Sequence, residues 1–187
     1  MAAPSASSIL RVPGDLIWNP TDLGNPPAYG GTYLGMARDK EFIPQPVLRP
    51  IWAEEMSTYT DVIYGGERVV FKCVLRYPDS DALTTAAFKA IASGSSGIHW
   101  LFRPGGTTAN TRAGTSLFTR AGKLLFAARA RTDHPFLILY NAIPAIDESA
   151  KLQMSLGEEY GLALVFYGTP DSSGRVYDTG RRANLVL

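Results

Sequence analysis

Few residues of this chain have the type and spacing that catalysis demands. A nucleophile elbow needs Gly-x-Ser-x-Gly between a strand and a helix. Gly94-Ser95-Ser96-Gly97 has the wrong spacing and follows the candidate helix instead of preceding it, so a loop is the better reading. Asp133-His134 supplies part of a charge relay only if a serine arrives from elsewhere, and a turn before Pro135 accounts for both residues. The acidic pairs Glu54-Glu55, Asp79/Asp81 and Glu158-Glu159 could in principle give an acid and a base. Adjacent strand residues point to opposite faces, however, and do not converge on one bond. His99 lies beside Trp100 in an apolar run, which suits a packed or rim residue. The chain has two histidines and a single cysteine, Cys73, so an internal disulfide and a Cys-based zinc site are excluded. Gly122-Lys123 is followed by Leu124, not Ser or Thr, and no Gly-x-Gly-x-x-Gly occurs. The expectation is a protein that is not an enzyme and has no catalytic residues, no cofactor and no metal.

The elements that would position any site read as β. Asp15 to Pro20 and Gly31 to Ala37 are short strands, the second followed by a polar turn at Arg38-Asp39-Lys40. Prolines 13, 20, 26, 27, 44, 46 and 50 forbid long helices and central strands in the first third. That third therefore reads as an extended arm over 1–30 with short edge strands, then an extended Glu41 to Trp52 segment lying on another surface. After a turn at Gly65-Gly66, Glu67 to Tyr77 is the strongest strand, with Val69, Phe71, Cys73, Leu75 and Tyr77 on one face. Asp79 or Ser80 can cap a helix over 80–92, where Leu83, Ala86, Ala87, Ala90 and Ile91 share a face.

The Gly-rich stretch 93–122 reads as a long hairpin built on Ile98 to Arg103 and Thr115 to Thr119. Lys123 to Arg131, Phe136 to Ile143, Leu152 to Leu156 and Tyr160 to Phe166 are further strands, and Arg175 to Leu187 is a polar tail. The sum is a single domain over 1–187, mainly β, a β-sandwich or barrel with one flanking helix, extended arms and a long hairpin loop.

Composition narrows the classes further. The chain has 187 residues, 45% of them hydrophobic and 19% charged, with 18 Gly and 13 Pro. It can bury a core but spares few charges for a solvated surface. A net charge of +1 lacks the footprint of a dedicated nucleic-acid binder. Residues 1–8 show neither a basic nor an apolar leader region, and one cysteine suits a reducing cytosol. Three Trp, nine Tyr and eight Phe could form a sugar-stacking platform on Trp18, Trp52 or Trp100. Aromatics on projecting segments fit protein interfaces at least as well.

The order of elements resembles a known family. "WNPTDLG", then "GGTYLGMARDKEF", then "YGGERVVFKCVLRYPDSDALTTAAFKAI" is similar to the tail tube (major tail) proteins of tailed bacteriophages. "FLILYNAIPA" and "LQMSLGEEYGLALVFYGTPDSSGRVY" resemble that family's closing strands, so the likeness spans 15–178. It implies a structural virion protein of the tail, assembled in the host cytoplasm as stacked hexameric rings that form the conduit for DNA.

Partners implied are copies of itself, the tape measure, sheath and terminator proteins, and double-stranded DNA as passing cargo only, with no membrane. Pro44 to Asp61 and Ser93 to Gly122 would be arms bridging neighbours. The inter-subunit contact candidates on or beside them are Trp52, Tyr59, Tyr64, Trp100, Phe102, Arg103 and Phe118. Lumens in the family tend to be acidic, whereas this chain is near neutral, and its Pro-rich arm is long. A neck, terminator or tube-initiator ring protein of the same fold is therefore an alternative, and a carbohydrate-binding sandwich is another.

Overall fold

A computed structural model describes residues 14–24, 29–53, 58–76, 116–129, 135–146 and 161–187. Within them the chain is mainly β, a single antiparallel sheet of seven strands: β1 (Gly14–Trp18), β2 (Thr32–Ala53), β3 (Thr58–Arg76), β4 (Gly122–Ala128), β5 (Pro135–Ile146), β6 (Gly161–Thr169) and β7 (Tyr177–Arg181). The order is β4-β1-β2-β3-β6-β5-β7, and β4 also pairs with β5. Hydrogen-bonded pairing thus passes through six strands and returns to β4. β7 continues the line of β6 along the same edge of β5, opposite Pro135 to Leu139 where β6 takes Asn141 to Ile146. Among the described residues no helix is long and apolar enough to cross a membrane.

Period-two alternation builds the main core. Val69, Phe71, Cys73 and Leu75 of β3 bury on one face, as their spacing predicts, against Leu162, Leu164 and Phe166 of β6, Leu124 and Phe126 of β4, and Leu16 and Trp18 of β1. At its centre Phe71 packs between Phe126 and Phe166, with ring centroids 6.3 Å apart in each pair. A second cluster covers the opposite face of β1, β4 and β5, where Ile17, Leu125, Ala127, Phe136, Ile138 and Tyr140 meet Tyr29 and Leu185. β4 and β5 are apolar on both faces because both faces are covered.

Several expectations change. β1 is no edge strand of an arm: it lies between β2 and β4 and all five of its residues are buried. Arg38-Asp39-Lys40 is not a turn but a bulge inside β2, where the register shifts and Asp39 takes a left-handed φ of 47°. The bulge turns Lys40 inward, over the Phe126 ring at 5.0 Å, with Nζ donating to the Ala37 carbonyl at 3.2 Å. Gly65-Gly66 is likewise a bulge, within a β3 that starts at Thr58. The Glu41 to Trp52 segment is extended as expected, but its partner is β3. Where a strand over Thr115 to Thr119 is expected, the described residues instead hold a 3-10 turn at Leu117–Arg120, capped by Ser116. β5 runs through Pro144 to Ile146, and the polar tail holds β7 and a 3-10 turn at Arg182–Asn184. The expected helix over 80–92 and the strand at 152–156 lie outside the described residues, as do Ile98 to Arg103.

Candidate functional site

β2 and β3 outrun their other neighbours. β1 covers only Thr32 to Ala37 of β2, and β6 covers only Val69 to Arg76 of β3. Beyond both points the two strands pair with each other alone, from Gln45 and Arg68 out to Ala53 and Thr58. At about 3.4 Å per residue, the part beyond the Gly65-Gly66 bulge is a ribbon on the order of 20 Å long.

Cross-strand partners share a face, so the register assigns the ribbon's two sides. On β2 the core face carries Phe42, Pro44 and Pro46, opposite Phe71, Val69 and Glu67. β2 adds no residue at the Gly65-Gly66 bulge, so its alternation carries on through Leu48, Pro50 and Trp52. Their partners are Tyr64, Val62 and Tyr59. The face that is core at Phe42 thus continues at the ribbon as a surface of aliphatic and aromatic side chains, with the Tyr64 hydroxyl donating to the Glu67 carboxylate at 3.4 Å. The other side is mixed, with Arg49 opposite Ile63 and Ile51 opposite Asp61.

Burial changes abruptly along that face. Phe42 and Phe71 are buried, whereas Trp52 is 52% exposed, Tyr59 62% and Tyr64 60%, and Leu48 and Val62 are also exposed. The boundary is made by Tyr177 of β7. Its ring stands edge-on to Phe42 at 5.1 Å, and its hydroxyl donates to the Glu67 carboxylate at 3.2 and 3.3 Å. Burial, and then the Glu67 charge, push the Tyr177 phenol above its ordinary pKa. At the far end Trp52 and Tyr59 stack edge to face, 5.0 Å between centroids.

The contact candidates now separate. Trp52, Tyr59 and Tyr64 come together on one exposed face of the ribbon. Phe118 is exposed but sits on the 3-10 turn before β4. Trp100, Phe102 and Arg103 lie outside the described residues. Leu48, Pro50 and Val62 complete the face and were missed, although the even positions 48, 50 and 52 carried the signal. Trp18 is buried against Phe166 and offers nothing to a sugar platform. Cys73 is fully buried and its thiol is pushed up by desolvation, which makes it inert.

One ionic cluster braces the body. Arg129 grips Asp15, Nε donating to both carboxylate oxygens at 2.7 and 2.8 Å, while its Nη2 donates to the Tyr33 hydroxyl at 2.8 Å. Tyr33 in turn donates to Asp15 at 2.9 Å. The contact, above all its hydrogen bond to Asp15, raises the Arg129 pKa and holds the guanidinium charged. Asp15 is 6% exposed and its oxygens are taken by these partners, so the cluster locks β1 to β2 and to the end of β4 and leaves no free base. Among the described residues no group of three or more His, Cys, Asp or Glu could hold a metal.

No family model and no curated protein matches the chain.

Proposed function

We propose that this chain is a structural virion protein, the tail tube subunit of a tailed bacteriophage, which assembles with copies of itself into stacked hexameric rings around a conduit for DNA. The observation that carries the reading is the apolar ribbon face, a continuation of the subunit's own core face into solvent. A monomer has no use for Leu48, Pro50, Trp52, Tyr59, Val62 and Tyr64 in water. A subunit that completes its burial against neighbours does.

The sheet supports the same reading. Pairing that returns from β5 to β4 suits a small barrel, with the 80–92 helix on its flank and the ribbon as an arm reaching to the next subunit. The motif resemblance of the strand and turn segments supplies the family. Few charges and a net charge of +1 suit a wall past which DNA slides without being held. The tape measure, terminator and sheath are the further partners such a tube would meet. Negative-stain microscopy of the concentrated protein tests this. Six-fold rings or stacked tubes are expected, and particles of one subunit at every concentration would refute it.

A further inference from the structure

From the ribbon's edges we infer how it meets its partner: it lays its apolar face on a second copy of this chain, and neither edge takes an added strand. The inference rests on the self-assembly reading above and specifies its chemistry.

In a strand, the N–H and C=O of one residue point to the same side, and the side alternates along the chain. The Val47 carbonyl lies against Gly65, and the Ile51 carbonyl accepts from Thr60 Oγ1 at 3.3 Å. Residues 47, 49 and 51 of β2 therefore face β3, and 44, 46, 48, 50 and 52 face outward. Three of those five outward positions are proline, Pro44, Pro46 and Pro50, which have no N–H to give. The outer edge of β2 cannot receive a complete strand.

The free edge of β3 is blunted by other means. Asp61 and Ile63, opposite Ile51 and Arg49, turn toward β2, so Val62 and Tyr64 turn outward. The outward N–H of Val62 donates to Asp61 Oδ1 at 2.7 Å. A carboxylate thus occupies the donor an incoming strand would need, and its charge stands beside the edge.

Such blunting acts against like strands, which are what copies of this chain present to one another at high local concentration. What remains for contact is the face. Aromatic side chains of about 150–250 Å² each, more than half exposed, give it on the order of 500 Å² together with Leu48, Pro50 and Val62. That is more than half of the roughly 800 Å² each partner contributes to a standard interface.

Amide hydrogen exchange on the assembled wild-type protein tests the mode of contact. Face docking leaves the outward amides of Tyr64 and Glu67 within about threefold of their rates in the dispersed subunit. Protection of alternate β3 amides by tenfold or more would mean strand addition and overturn this inference alone. A wild type that never assembles overturns both this inference and the reading beneath it. As a second arm, Asp61→Ala combined with Pro44→Val, Pro46→Val and Pro50→Val reopens both edges. The expected result is the wild-type assembly plus irregular aggregate, and an unchanged size distribution without aggregate would show that these residues do not guard the edges.

Discussion

Two buried charges decide how single residues weigh in this fold. Asp15 is enclosed and Arg129 is half exposed, so the two partners are not equivalent. Removing the arginine leaves a carboxylate in a dry site with the Tyr33 hydroxyl as its remaining side-chain partner among the described residues, a change that costs about 3 kcal/mol. Asp15→Asn keeps hydrogen bonding at the same place and frees a guanidinium that water can reach, at about 1 kcal/mol. Denaturant titration of Arg129→Ala and Asp15→Asn should therefore rank them in that order, and equal losses would mean that Asp15 is not truly desolvated.

Lys40 poses the opposite case, because desolvation lowers its pKa and the charged amine is the disfavoured form. Below the lowered value both folded and unfolded chains carry the proton, and the burial penalty acts in full. Above it the folded amine sheds its proton before the unfolded one, so the Lys40 contribution to stability rises with pH. Tyr29, Tyr33, Tyr140 and Tyr177 are shifted upward by burial and oppose this trend, since their unfolded phenols ionise first. Comparing wild type with Lys40→Met cancels the tyrosines. The variant should be more stable by about 1 kcal/mol at pH 7, with the gap closing toward pH 10 in urea titrations; a gap that widens would contradict the assignment.

At the scale of elements the bulges govern. Gly66 adopts a φ of 110° with open space where a Cβ would stand, so an alanine there meets backbone strain and nothing else. Gly66→Ala should cost about 1–2 kcal/mol and speed amide exchange across the ribbon. Gly180→Ala, on β7 where the φ is not positive and a Cβ also meets nothing, is the control and should stay within about 0.5 kcal/mol of wild type.

The bulges also explain which elements the sequence discloses. The Val69 to Leu75 stripe is legible because one buried face imposes period two. The unity of β2 and β3 is not, since Arg38-Asp39-Lys40 and Gly65-Gly66 carry the same residue types whether the chain turns or merely bulges. β1 gives no local sign of its central place, because its neighbour Phe126 is 110 residues from Leu16. β7 passes as a tail because Tyr177, the first of its five residues, is the one that joins the main core. As for the contact surface, aromatic type alone picks out Trp52, Tyr59 and Tyr64. Even spacing puts Leu48, Pro50 and Trp52 on one face, but their gathering with Tyr59, Val62 and Tyr64 depends on the register across a bulge, which no spacing rule supplies.

On the scale of the whole molecule, one sheet does two jobs. Its pairing runs from β4 through six strands and back, enclosing Phe71, Phe126 and Phe166, while the longest two strands carry the same apolar face beyond the enclosure. Tyr177 and Glu67 mark where buried core gives way to the exposed face of the ribbon. The shortage of charge across the chain fits that division. The most direct measurement of the central claim is sedimentation velocity of wild type beside the double variant Trp52→Ser, Tyr64→Ser. Both residues are exposed and what the variant loses within the subunit is the Trp52–Tyr59 pair and the Tyr64–Glu67 hydrogen bond, so it should fold with a stability within about 1–2 kcal/mol of wild type. The account predicts ring- or tube-sized species for wild type and a lone subunit for the variant at the same concentration. Assembly of the variant to the same extent would contradict it.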